Sequence, residues 1–385
     1  MSKFHYIDGN DVQLLHCGGE YFTALLAAID GAHRQVYLET YIFAHDETAA
    51  RVRNALIAAV QRGVMVRVVI DWLGSGRVAA ERLARVLHDG GVACRCFNPW
   101  FGHGLARTHR KICVVDMGLA FVGGLNIIDD HISDDGREQL LPFPRWDFAV
   151  KLVGPLVPHV HFEVESQWRR TGRLGWLTRI ELMRDLSKDA TVAAQSSAAL
   201  VVRDNLRNRV TIQKAYLHAL GKAHTRAILV TPYFAPGRKF RRALSSAAAR
   251  GVSVTLLIGV GQFALQDAVT HSYYPKLLRN GIRIVEYRKT QLHAKVAVVD
   301  DDWSTVGSSN VDGLSLFLNH EANLVIRDLA FTNRLAGELE KGVADGVEVL
   351  LADYANQPWQ RRAWYGFAYL VYRGMMRILT FGNYG

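Results

Sequence analysis

Apolar and polar positions along the chain follow two rhythms that take turns. VYLETYIF (36–43) is a β-branched and aromatic run, as strands favour, and alternation places Tyr37, Glu39 and Tyr41 on one face. RVRNALIAAVQRG (51–63) has the spacing of an amphipathic helix and stops at Gly63, a residue suited to the turn that ends a helix. VMVRVVID (64–71) then reads as a buried strand, since apolar residues without alternation suit a strand covered on both faces. Strands taking turns with helices predict an α/β fold built on a mixed, mainly parallel sheet flanked by helices.

The pattern occurs twice. VYLETYIF resembles ILVTPYFAP (228–236), and LIAAVQRGVMVRVVID (56–71) resembles LSSAAARGVSVTLLIG (244–259). GGVACRCFN (90–98) matches NGIRIVEY (280–287), HRKICVVD (109–116) matches HAKVAVVD (293–300), and FVGGLNI (121–127) matches TVGSSNV (305–311). The order is the same in both halves and the offsets stay between 184 and 192 residues, so the chain is an internal duplication. Two pseudo-symmetric lobes are expected, over 1–195 and 196–345, with the boundary in TVAAQSSAALVV (191–202) and a distinct tail over 346–385.

The duplicated unit carries a chemical motif. His109, Lys111 and Asp116 recur as His293, Lys295 and Asp300. Residues two apart on a strand share a face, so each His projects with its Lys. A Gly-rich turn with an Asn follows each motif, at Asn126 and at Asn310; Lys and Asn supply donors for phosphate oxygens, and Ser309, or Ser308, can add a hydroxyl. A lone His is usually structural, but two copies at equivalent points of a duplicated chain point to one shared site. Burying each Lys for packing alone is costly. The net charge of +10 suits a polyanionic partner, either nucleic acid or an anionic membrane surface. The four cysteines, Cys17, Cys94, Cys96 and Cys113, have neither zinc-ligand nor disulfide-framework spacing and read as reduced thiols. No signal peptide opens the chain, and no apolar run reaches the length of a membrane span.

The paired motifs resemble the phospholipase D superfamily, over nearly the whole chain. That resemblance implies facing lobes, a covalent phosphohistidine on one His, general acid/base work by the other, and no cofactor or metal. Carried over, it makes His109 the nucleophile and His293 the acid/base. Lys111, Lys295, Asn126 and Asn310 hold phosphoryl oxygens, and Asp116 and Asp300 orient or charge-stabilise the histidines, a job that a different nearby carboxylate does in some relatives. LETYIFAHDETAARVRNAL, GGLNIIDD, PRWDFAVKLVGP and NHEANLVIRD further resemble the bacterial cardiolipin synthases, of the short type without N-terminal membrane spans, cardiolipin synthase B. The resemblance implies transfer of a phosphatidyl group from one phosphatidylglycerol to another with release of glycerol, at the cytoplasmic face of the bacterial inner membrane. A lipid hydrolase or a nuclease uses the same residues; nucleic acid is the less expected partner. Glu39, Asp71, Asp147 and Glu321 sit on recurring family segments. For Glu39, a pocket-lining role and a buried ion pair are equally open. The loop HISDDGREQLLPFPRWD (131–147) is read only as shaping the pocket mouth.

The last stretch, PWQRRAWYGFAYLVYRGMMRILTFGNYG (358–385), interleaves Trp, Tyr and Phe with Arg361, Arg362, Arg373 and Arg377. Aromatic rings favour the headgroup level and Arg favours anionic lipid, so the tail reads as an interfacial membrane helix. The competing reading is a terminal helix packed on the body.

Overall fold

The computed structural model describes residues 5–101, 105–172, 196–204 and 208–379. Among these, fifteen strands form one continuous sheet that is built symmetrically about its middle. There, Ile7–His16 and Ser196–Arg203 lie side by side and antiparallel. Outward on one side run Phe148–Val153, Leu119–Gly123, Ile112–Val115, Gln35–Thr40, Met65–Asp71 and Ala93–Phe97. Outward on the other run Glu321–Arg327, Trp303–Gly307, Val296–Val299, Arg226–Thr231, Ser253–Gly259 and Arg283–Tyr287, with Val347–Glu348 at the edge. The two series are the same unit repeated.

The mixed sheet carries its parallel pairing in Gln35–Thr40, Met65–Asp71 and Ala93–Phe97 and in Arg226–Thr231, Ser253–Gly259 and Arg283–Tyr287, while the edge strand Val347–Glu348 is antiparallel. Its central strands are antiparallel. The reason is loop length: turns as short as 116–118 and 300–302 can join only antiparallel neighbours, whereas parallel neighbours need a crossover helix. Gly63 and Gly251 take φ of 88° and 92° at the end of the first crossover helix in each half, a conformation that favours glycine. Of the boundary stretch 191–202, residues 191–195 lie outside the described residues, and the rest begins the central strand Ser196–Arg203.

One face of the sheet is covered by Val157–Thr171 and Leu329–Ala344, which share a single core with strand residues of both halves, including Val150, Leu152, Val296 and Val298. On the other face each half has its own core. Each fully buried Val or Leu contributes about 1.5–3 kcal/mol, so the shared layer fixes one half against the other. The four cysteines are free thiols.

Candidate active site

The two motifs meet because each is sewn to the opposite half. Thr108 and Leu292, the residues before the histidines, form isolated bridges with His320 and Trp146 respectively. The His109 amide donates to the His320 carbonyl at 2.9 Å, and the His293 amide donates to the Trp146 carbonyl at 2.9 Å. The residue after each of those carbonyls is an acid. His109 Nδ1 lies 3.0 Å from Glu321 Oε2, and His293 Nδ1 lies 2.5 Å from Asp147 Oδ2. Each histidine of one half is therefore held by a carboxylate of the other. Glu321 and Asp147 are equivalent positions, two residues before the partners of Gly307 and Gly123 in the ladder. Since a carboxylate only accepts, Nδ1 carries a proton in each ring, and on His109 that leaves Nε2 its lone pair.

The lysines complete one cluster. Lys111 Nζ donates to its own His109 carbonyl at 2.8 Å, and Lys295 makes the same bond to His293. Lys295 Nζ is also 4.0 Å from Asp147. Burial lowers both lysines; Lys295 lowers Lys111 further, while Lys295 itself, its fall opposed by Asp147, comes to about 8. Burial likewise lowers both histidines, against the raising effect of Glu321 on His109 and Asp134 on His293, while Lys295 adds to the lowering at His293. Two buried ammonium groups in one cluster suit a bound anion.

The motif aspartates are elsewhere. Asp116 accepts from the backbone amides of His33, Arg34 and Gln35 at 2.8–2.9 Å. Asp300 accepts from those of His224, Thr225 and Arg226 at 2.8–3.2 Å. Both have φ of 52° in the turn that ends the short strand. Seven residues separate each from its histidine, roughly 20 Å of extended chain, so neither orients a histidine. They clip the turn to the neighbouring strand, and the orienting role passes to Glu321 and Asp147. Partial burial pushes both aspartates up, but the amides that face them hold them below the ordinary carboxylate range.

Glu39 is also placed away from the site. Of its two readings the structure takes the buried ion pair: its Oε2 is 2.9 Å from Arg110 Nε, on the side of the strand turned away from His109 and Lys111. Burial raises it to about 7. Asp71 is buried and accepts from the amides of Leu73, Gly74 and Thr108, which anchors the residue just before His109. Ser309 gives its hydroxyl to the Asn310 carbonyl. Its neighbour Ser308 reaches the site instead, donating to Glu321 at 2.6 Å. Asn126 and Asn310 are buried in the turns that follow each motif; Asn126 Oδ1 accepts from the Ile42 amide.

Two further residues went unread in the sequence. The Tyr41 ring stands edge-on to His109 at 4.9 Å. Asp134, in the 131–147 loop, puts Oδ2 3.3 Å from His293 Nε2 and is held there by Gln291 Nε2 at 2.6 Å. The loop thus reaches the second nitrogen of the His293 ring. Arg145 anchors it by donating to the carbonyls of Asp129 and Ile132. A paired Asp-Asp in an otherwise loop-like stretch is the one signal present in the sequence.

A family model for the cardiolipin synthase, PLD-like domain, matches residues 25–141 and 216–342, once in each half. The chain belongs to this family. It is 37 % identical over 350 residues to cardiolipin synthase B of Escherichia coli (strain K12), covering 89 % of this chain and 82 % of that protein. It is 27 % identical over 371 residues to the minor cardiolipin synthase ClsB of Bacillus subtilis (strain 168), covering 93 % and 88 %. A solved phosphatidylserine synthase from Haemophilus influenzae Rd KW20 shares the fold, with a TM-score of 0.70 over 97 % of this chain and 96 % of that one at 14 % identity. As a member of the family the chain is a phosphatidyltransferase acting on a phospholipid.

Proposed function

We propose that the chain makes cardiolipin by moving a phosphatidyl group between two phosphatidylglycerol molecules through a phosphohistidine. The observation that carries this reading is the reciprocal clamping of His109 and His293 by carboxylates of the opposite halves. His109 Nε2 makes no hydrogen bond among the described residues, so its lone pair is free to attack phosphorus. The P–N bond forms, the bond to the glycerol oxygen breaks, and that oxygen takes a proton from His293 Nε2. In the second step the primary hydroxyl of the acceptor lipid gives its proton to His293 and attacks phosphorus, and the P–N bond breaks. Lys111 and Lys295 carry the charge on the phosphoryl oxygens. The side-chain oxygen of Asn310, buried without a partner among the described residues, is left for the substrate.

The tail supports a bilayer-resident substrate. It forms the helix Trp359–Leu379, which buries Tyr365, Ala368 and Met376 against the body. Trp364, Phe367, Leu370 and Ile378 on its other side are 45, 57, 64 and 77 % exposed. Both readings of the tail are thus combined in one helix, one face packed and the other an apolar face suited to the headgroup boundary. No helix among the described residues is long and apolar enough to cross a membrane. A cleft of about 590 Å³ joins this helix to the catalytic loop, lined by Arg361 and Trp364 on one side and Ser133 and Gln291 on the other. The exposed apolar face supports a peripheral position on the inner membrane, and the cytoplasmic side is part of this proposed reading. Residues 380–385 lie outside the described residues.

Incubation of the purified protein with phosphatidylglycerol vesicles tests the reading. Cardiolipin with an equal amount of glycerol is expected. Phosphatidic acid alone means water is the acceptor, and no lipid turnover with cleavage of DNA overturns the proposal.

A further inference from the structure

The second half carries a basic cleft that catalysis does not use. It measures about 910 Å³ and lies between the helices Arg238–Ala249, Ala264–Arg279 and Trp359–Leu379. Arg238, Arg241, Arg242, Lys276, Arg279 and Arg362 line it, and no acidic residue does. None of the six pairs with a carboxylate among the described residues, although many cations elsewhere in the chain do. The charge is not inherited from the duplication. The equivalent helices of the first half, Glu47–Gln61 and Arg77–Asp89, mix their arginines with Glu47, Glu81 and Asp89. Six cations crowded without a counter-ion repel one another, and a bound anion relieves that repulsion.

We infer that this cleft is a second anionic-phospholipid site, which takes a headgroup phosphate beside the interfacial helix and is separate from the catalytic centre. It rests on the reading of Trp359–Leu379 as an interfacial helix. That helix supplies one wall of the cleft through Arg362, Tyr365 and Tyr369 and exposes Phe367 and Leu370 next to it. A lipid therefore meets cations at the depth of its phosphate and an apolar face at the depth of its chains. The hydroxyls of Ser245 and Ser246 add neutral donors, and the Asn280 amide donates to Ser245 Oγ at 2.8 Å. A nucleic acid would engage the cations but would leave the apolar face uncovered.

The test compares the full chain with Arg238→Gln/Arg242→Gln/Lys276→Gln/Arg279→Gln by co-sedimentation with vesicles of phosphatidylcholine alone or with added phosphatidylglycerol. Turnover of monomeric short-chain phosphatidylglycerol reports folding and chemistry. The variant is expected to lose at least about tenfold in affinity for the anionic vesicles, with no change on neutral vesicles or in short-chain turnover. Unchanged affinity for the anionic vesicles overturns the inference. So does inorganic phosphate binding to the parent as tightly as vesicles do, or a duplex DNA affinity that exceeds the vesicle affinity and is what the variant loses. Trp364→Ser/Phe367→Ser separates the underlying reading, since it should weaken binding to both vesicle types. Binding unchanged in that variant removes the interfacial helix, and the cleft is then judged by the four-Gln variant alone.

Discussion

The two histidines occupy equivalent places in the two halves, yet their surroundings differ. His109 has a carboxylate on Nδ1 only, and Ser308 in turn holds that Glu321. His293 has Asp147 on Nδ1 and Asp134 on Nε2. At the position of Ser308 the first half has Gly124, where an added Cβ would come within 2.2 Å of the Asp147 carboxylate. A shorter acid packed against a glycine replaces a longer acid tied to a serine. The duplication thus supplied two similar His–acid pairs, and later divergence left one with an open nitrogen and the other with a carboxylate on each nitrogen. An open Nε2 suits attack on phosphorus. A nitrogen facing an acid that a phosphoryl oxygen can displace suits proton transfer to a leaving group.

The severest way to break this comparison is to remove either ring. His109→Ala and His293→Ala should each lower turnover by on the order of ten-thousandfold, because residues that act as a unit fail together. His293→Asn should retain some phosphoryl transfer to the protein, trapped on His109; label found on His293 in the parent would reverse the roles. Next in size are the clamps. Glu321→Gln and Asp147→Asn should each cost on the order of a thousandfold in kcat, as loss of the orienting acid does in other His-based sites. Asp116→Ala should leave kcat within a few-fold and instead lower stability by about 1–2 kcal/mol, read in thermal unfolding. The sign follows from its depressed pKa. The stability that Asp116 adds is complete above the ordinary carboxylate value and is lost as pH falls through the lower folded value. If Asp116→Ala proved as damaging to kcat as Glu321→Gln, the assignment of the clamps would fail.

Lys295 contributes to the alkaline side, as does Lys111, which is lowered too. The Lys295 pKa is lowered to about 8, chiefly by burial, so the ammonium form is lost as pH rises through that value and kcat should fall with it. Lys295→Arg should move that limb upward, and a limb that stays in place would assign it to another group. The smallest effect is expected at Asp134. If its carboxylate stands in for substrate on Nε2, Asp134→Asn should tighten inhibition by inorganic phosphate several-fold while changing kcat less than tenfold. A thousandfold loss of kcat would instead make Asp134 part of the chemistry.

Much of this was legible before folding. The two crossover units, the glycines ending their first helices, the paired His and Lys and the asparagine turns are local features, since each depends on periodicity or on residues two to four apart. The reading failed at Asp116 and Asp300, whose orienting role was carried over from the family resemblance. A residue seven positions along an extended chain lies at the far end of the strand. The acids that do touch the histidines are 212 and 146 residues away in sequence; they were marked only by sitting on recurring family segments, RWDFAVKLV and NHEANLVI, with no sign of which histidine each would meet. The central strand pair was missed as a repeat because Ile7–His16 and Ser196–Arg203 share an antiparallel role but little sequence.

The sequence by itself determined that a His-Lys unit exists twice and that each copy sits at the start of a buried strand, because composition and period act over a few residues. Only the tertiary structure decided that each histidine takes its acid from the other half. It also decided that a loop carboxylate reaches His293 and that the motif aspartates fasten turns. Those outcomes depend on how two similar halves pack through one shared core, and that packing sums contacts between residues far apart in the chain.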